Sequence, residues 1–279
     1  MVMLRKRFKH SSPSVKAFFI FGIVILLALI VPIHKSPIDV NSILAATAIF
    51  YSILLGFYIA AAMSNLSQLK TLIATETGSL VAVYHIVKMA LPHRLETTRE
   101  AIDRYLIKRF DYEVDNYTEP TTNEFYAIFD VLKGADTKSD GEAAAVNYIA
   151  ETMLYTGQTR RGLTIVGAKV VNSASWLVLI SLSGIVVVSL FLMRDGSAES
   201  AIVSAFLAAA AVLSLFILAD VDGNRFGEEQ FAVDTYQDVF SAIGLPHYYP
   251  KHYLEAGRYQ PTVKSYRTGN SESVHLVNH

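Results

Sequence analysis

Ile43–Met63 reads ILAATAIFYSILLGFYIAAAM, with no Asp, Glu, Lys or Arg anywhere in it. A helix needs about 20 apolar residues to cross a bilayer core about 30 Å thick. Three more charge-free runs, Ala17–Ile33, Val170–Met193 and Ala201–Ala219, stand in the same chain. A soluble core helix keeps a polar face, and these runs have none. In lipid every backbone N–H and C=O must be satisfied within its own segment, which leaves helix as the structure for an open chain. The expectation is an all-α membrane protein with four transmembrane helices in two close pairs.

Mean hydropathy is +0.34, and 52% of residues are apolar while 18% are charged. Substantial polar parts therefore lie outside the membrane. A net charge of -1 gives no electrostatic case for nucleic acid. Cysteine is absent, which excludes disulfides, thiolate metal sites and cysteine nucleophiles.

Basic residues near segment ends set orientation. Arg5, Lys6, Arg7, Lys9 and Lys16 crowd the N-terminal arm, and Lys70, Lys88, Arg160, Arg161 and Lys169 flank the long middle region. The two short links carry one basic residue each, Lys35 and Arg194. This places both termini and the middle region on the cytoplasmic side of the plasma (inner) membrane, with the first segment an uncleaved anchor. The layout is a basic arm at 1–16, transmembrane helices 1 and 2 in 17–63, a cytoplasmic helical region at 64–169, transmembrane helices 3 and 4 in 170–219, and a C-terminal region at 220–279.

The middle region is patterned. Leu66, Leu69, Leu72, Ile73, Leu80, Val81, Tyr84 and Val87 recur at helical spacing, so the second membrane helix reads on as a stalk until Leu91-Pro92 stops it. Ile102, Tyr105, Leu106 and Phe110 form the stripe of a helix at Arg94–Tyr112. A shorter helix at Asn123–Leu132 follows. From Glu142 a long helix leads into the third membrane segment, expected to be continuous with it. These stripes predict a cytoplasmic helical bundle. A last helix spans Gln230–Ile243. The stretch Pro246–His279 shows no apolar period and is expected to be disordered or an extended strap.

The order of elements, with Leu54-Leu55-Gly56-Phe57 in segment two, resembles the bestrophin-like family of mostly bacterial membrane proteins. Glu76-Thr77 ahead of Leu80 and Tyr84, then Leu91-Pro92, Tyr105, Arg160-Arg161-Gly162-Leu163 before Trp176, and Asp222 through Phe226-Gly227 continue the likeness over about Ile43–Gly244. Asn224-Arg225 stands where the family commonly has Pro between its acid and Phe. The resemblance implies a homo-oligomeric ion channel, five-fold in the bestrophins proper, with the second membrane helix lining the path of small inorganic ions. The alternative is a non-conducting membrane scaffold or sensor that docks a cytoplasmic partner through its stalk.

Thr47, Tyr51, Leu54, Tyr58 and Asn65 share one face of segment two. Polar groups in lipid are expensive, so this stripe faces either a water-filled path, with Leu54 as a hydrophobic collar, or neighbouring helices to which it hydrogen-bonds. Glu76 lies in an otherwise apolar or small run. With Arg160 or Arg161 it forms an ion pair between stalk helices, or these groups set the charge of a vestibule. Asp220 and Asp222 invite a calcium reading, but an EF-hand needs Gly at loop position six and Glu at twelve, where Arg225 and Phe231 stand. His247 and His252 lack the spacing of a zinc site. There is no phosphate-binding loop and no nucleophile elbow, so neither an enzyme nor a cofactor is expected.

Overall fold

A computed structural model of the chain describes Gly22 and residues 39–133, 139–223, 228–255, 259–261 and 263–278. The first apolar run, Gly22 apart, and the segment holding Arg225 and Phe226 lie outside the described residues, and so do the expectations placed there. Three described helices are long and apolar enough to cross a membrane: α1 (Val40–Ala90), α5 (Ser173–Leu192) and α6 (Ala198–Asp222). The others are α2 (Leu95–Arg109), α3 (Thr122–Phe129), α4 (Asp140–Gly167), α7 (Glu228–Ala242) and the short α8 (Lys251–Glu255). The chain divides into two compact units, with breaks at Ser64–Asn65 within α1 and at Ala168–Lys169.

The first unit holds the start of α1 with α5 and α6. Asn172 caps α5 by accepting from Ser175 N at 2.8 Å, and Ser197 caps α6 by accepting from Ser200 N at 3.0 Å. On α6 the buried face is Ala201, Ser204, Ala205, Ala208 and Ala209. Such small side chains let membrane helices approach closely.

The second unit is a helical bundle with a small sheet. Leu69, Ile73, Leu80 and Val87 of α1 pack with Ile102 and Leu106 of α2, Ile149 and Met153 of α4, and Val239 and Phe240 of α7. α1 runs unbroken for 51 residues, about 76 Å, and ends one residue before Leu91-Pro92, as the sequence predicts. Ser139 opens α4 by accepting from Glu142 N at 3.2 Å, half of a capping box.

Two expectations are corrected. α4 does not run on into the next membrane helix: it ends at Gly167, and Ala168 and Asn172 are extended. The tail at 246–279, expected to be disordered or a strap, contains β1 (Tyr248–Pro250), β2 (Ser265–Asn270) and β3 (Ser273–Asn278), in that order, with β2 parallel to β1 and antiparallel to β3. The all-α reading therefore holds for the helices and misses this sheet. Tyr248 and Tyr249 are fully buried, and Arg267 grips Asp103 of α2 through both terminal nitrogens at 2.7 and 2.8 Å. Gly269 lies within β2, paired with Val274 just ahead of the turn at Ser271–Glu272; its φ is 144°, and a Cβ there would fall 1.9 Å from the Ser273 carbonyl oxygen.

Candidate functional site

The densest polar arrangement lies at the centre of the second unit. Glu76 of α1 is wholly buried. Its Oε1 accepts from Tyr105 Oη and, at 3.3 Å, from Tyr117 Oη. Its Oε2 accepts from Tyr236 Oη at 2.6 Å. Arg109 Nε stands 3.9 Å from Oε2 and Arg160 Nε 4.0 Å from Oε1. These distances are too long for hydrogen bonds. The tyrosines supply the hydrogen bonds and the guanidinium groups supply the countercharge.

Aromatic faces hold both cations. Arg109 lies between the rings of Tyr117 and Tyr236, 4.4 and 4.6 Å from their centroids. Arg160 lies over Phe125 at 4.1 Å, and its Nη2 donates to Thr118 O at 3.0 Å and Thr121 Oγ1 at 2.6 Å. Cation–π contacts are worth about 2 kcal/mol each when desolvated, which offsets part of the burial cost. Two buried guanidinium groups face one carboxylate, and Arg109 Nε, Arg109 Nη2 and Arg160 Nε have no hydrogen-bond partner among the described residues. Burial pushes the hydroxyls of Tyr105, Tyr117 and Tyr236 well above their ordinary pKa, and the Glu76 carboxylate pushes the same way. Burial opposes the Arg109 charge, yet the surrounding tyrosines and Glu76 outweigh it and its pKa is raised.

The structure thus brings Glu76 and Arg160 together but leaves Arg161, one residue on, exposed. Glu76 is fully enclosed. Arg109 was not singled out in the sequence, although it extends the stripe Ile102, Tyr105, Leu106 by one more turn. Tyr236 extends its own stripe with Val233 and Phe240 in the same way.

On the membrane part of α1 the polar stripe is engaged. Tyr51 Oη donates to Ala211 O of α6 at 2.5 Å, and Tyr58 Oη shares a 2.7 Å hydrogen bond with Ser175 Oγ of α5. Further along, in the second unit, Asn65 Nδ2 donates to Val166 O of α4 at 2.8 Å. Thr47 and Leu54 are partly exposed. The opposite face, with Ile49, Ile53 and Phe57 at 59%, 65% and 67% exposure, is left uncovered by the described residues.

Asp222 is buried, and its Oδ1 accepts from the amides of Val170 and Val171 at 2.8 and 3.0 Å. It fixes the chain before α5. Among the described residues no group of three His, Asp or Glu side chains is placed to hold a metal ion.

The bestrophin-like domain matches this chain over residues 15–223. The chain belongs to the bestrophin-like family. Its helices superpose on a point variant of a bacterial bestrophin homologue from Klebsiella pneumoniae with a TM-score of 0.63 at 14% identity, covering 81% of this chain and 99% of that one. A second variant of that homologue gives 0.60 at 15%, over 82% and 99%. A solved membrane protein variant gives 0.63 at 12%, over 83% and 98%. At such identity the likeness is one of fold. No curated protein matches the sequence. In this bestrophin-like chain Tyr236 and the sheet lie beyond the matched domain, so the Glu76 cluster is closed by a part of the chain outside it.

Proposed function

We propose that this bestrophin-like protein assembles as a ring of identical subunits in the plasma (inner) membrane, five-fold by family resemblance, with both termini cytoplasmic, and passes small inorganic ions along α1. The observation that carries the reading is the direction of the α1 faces. The hydroxyls of Tyr51 and Tyr58 are taken up by α6 and α5, so the uncovered face stands opposite them. Further along the helix the same period continues in exposed Ser67, Thr71 and Ala74, a small and polar run that has no use for lipid. A path lined by α1 would be narrowest in water at apolar rings, which gate by dewetting.

The candidate lining residues Thr47, Tyr51, Leu54, Tyr58 and Asn65 then divide. Tyr51, Tyr58 and Asn65 hold the helix in place. Leu54 borders the path, and Ile53 stands nearer its middle.

Reconstitution in liposomes tests this. Ion flux should rise several-fold in Ile53→Ser, less in Leu54→Ser, and stay at the parent level in Ala48→Ser. A native mass of a single 30.8 kDa chain, or background flux in all of these, would favour the scaffold that docks a partner through its stalk.

A further inference from the structure

A cleft of about 770 Å³ opens in the second unit between α3, α4 and the loop at 110–121. That volume suits a small-molecule site. Its walls are sorted by chemistry along α4. On α4, Met153 and Leu154 line one end and Arg160 and Arg161 the other; Phe129 of α3 and Asp115 and Glu119 of the loop complete the walls, while Phe125 lies at the middle, its ring reaching the Arg160 guanidinium at 4.1 Å. Along the helix axis Met153 and Arg160 stand about 10 Å apart.

Two features of this cleft are not explained by the packing of the chain itself. Gly157 lines its middle, inside α4. A Cβ there would meet only the Phe125 ring, at 3.6 Å, an ordinary contact. No close approach demands glycine, which destabilises a helix interior by roughly 0.5–1 kcal/mol relative to alanine. Its missing side chain does leave the cleft wall open. The second feature is charge. Arg160, 3% exposed, is one of two buried guanidinium groups set against a single carboxylate, so the floor of the charged end has an excess positive charge. Asp115, Glu119 and Arg161 stand exposed at the rim.

We propose that the cleft binds a small zwitterion with an apolar body, of the chemical class of an aromatic amino acid. The carboxylate faces Arg160 and Arg161, the ammonium faces Asp115 and Glu119, and the ring lies toward Phe125 and Phe129. Opposite charges at one end and an aromatic wall at the other select against ligands that carry one charge alone.

The test uses the full chain purified in detergent and titrated calorimetrically with phenylalanine, phenethylamine and 3-phenylpropionate. Phenylalanine should bind saturably, and each analogue, lacking one charge, should bind at least tenfold more weakly. Gly157→Leu should abolish binding while melting no lower than the parent. Arg161→Gln should weaken phenylalanine and 3-phenylpropionate but leave phenethylamine unchanged. No saturable binding of phenylalanine up to its solubility limit overturns the proposal. So does equal binding by both analogues, or an Arg161→Gln chain that binds all three like the parent. None of these readouts uses ion flux, so this result is separable from that of the proposed conduction.

Discussion

Tyr236 donates a 2.6 Å hydrogen bond to Glu76 across 160 residues of sequence. α7 is thereby tied to α1 at a point where the carboxylate also takes the hydroxyls of Tyr105 and Tyr117. Removing one partner of a buried charge pair costs about 3–5 kcal/mol because the other charge is left uncompensated. Glu76→Ala should therefore lower the melting temperature of the purified protein more than any exposed carboxylate change, such as Glu151→Ala. Glu76→Gln, which can still accept from tyrosines, should fall between them. A Glu76→Ala protein as stable as the parent would show the cluster to be incidental.

The same tyrosines make a prediction about alkaline pH. Folding raises the pKa of Tyr105, Tyr117 and Tyr236, burial being the largest cause in each. An acid whose pKa rises on folding gives its full stabilisation below the unfolded value, about 10 for Tyr. That stabilisation is lost as pH climbs past it. Tyrosinate absorbance and helicity followed together above that pH should show a late group of tyrosines ionising as the helices melt. Prompt ionisation of all 15 tyrosines with helicity intact would contradict this.

Asp222 offers a local test. It alone, among the described side chains, accepts from both amides of the Val170–Val171 link. Leaving such donors unsatisfied costs about 1–3 kcal/mol each when buried. Asp222→Ala should speed hydrogen exchange at Val170 and Val171, with Asp222→Asn milder because its amide oxygen still accepts. Unchanged exchange in Asp222→Ala would remove the clamp from the account.

Arg267 and Asp103 hold the sheet to α2 by two parallel hydrogen bonds, and Arg267 also lies over Phe240 at 5.0 Å. Lysine cannot reproduce that fork. Limited proteolysis should release the segment after Ile243 several-fold faster in Arg267→Lys than in the parent, and equal rates would mean that Tyr248 and Tyr249 alone anchor it.

The three described membrane helices were legible because absence of charge over some twenty residues has one physical meaning. The end of α1 was legible because proline bars the next turn. Periodicity showed that Tyr51, Tyr58 and Asn65 share a face. It could not say what that face meets, since a helix neighbour and a wet path satisfy a hydroxyl equally. Arg160 and Arg161 could not be told apart either: adjacent helix positions differ by about 100° in direction, and only packing reveals which is buried. The break after Gly167 was hidden because Asp222, which holds the link through the Val171 amide, lies 51 residues beyond Val171. The sheet was hidden because β1 is three residues long and β2 and β3 pack mainly through Tyr266 and main-chain pairing rather than through an apolar alternation.

The most direct test of the central claim uses the absence of native cysteine. Single cysteines placed along α1 can be challenged with a charged thiol reagent while ion flux is followed in liposomes. The account predicts flux in the parent, block at Ile49→Cys, Ile53→Cys and Ala60→Cys, and none at Leu55→Cys or Ala62→Cys, which face the chain's own helices. No flux in the parent, or block at Leu55 and Ala62 but not at Ile53, would contradict it.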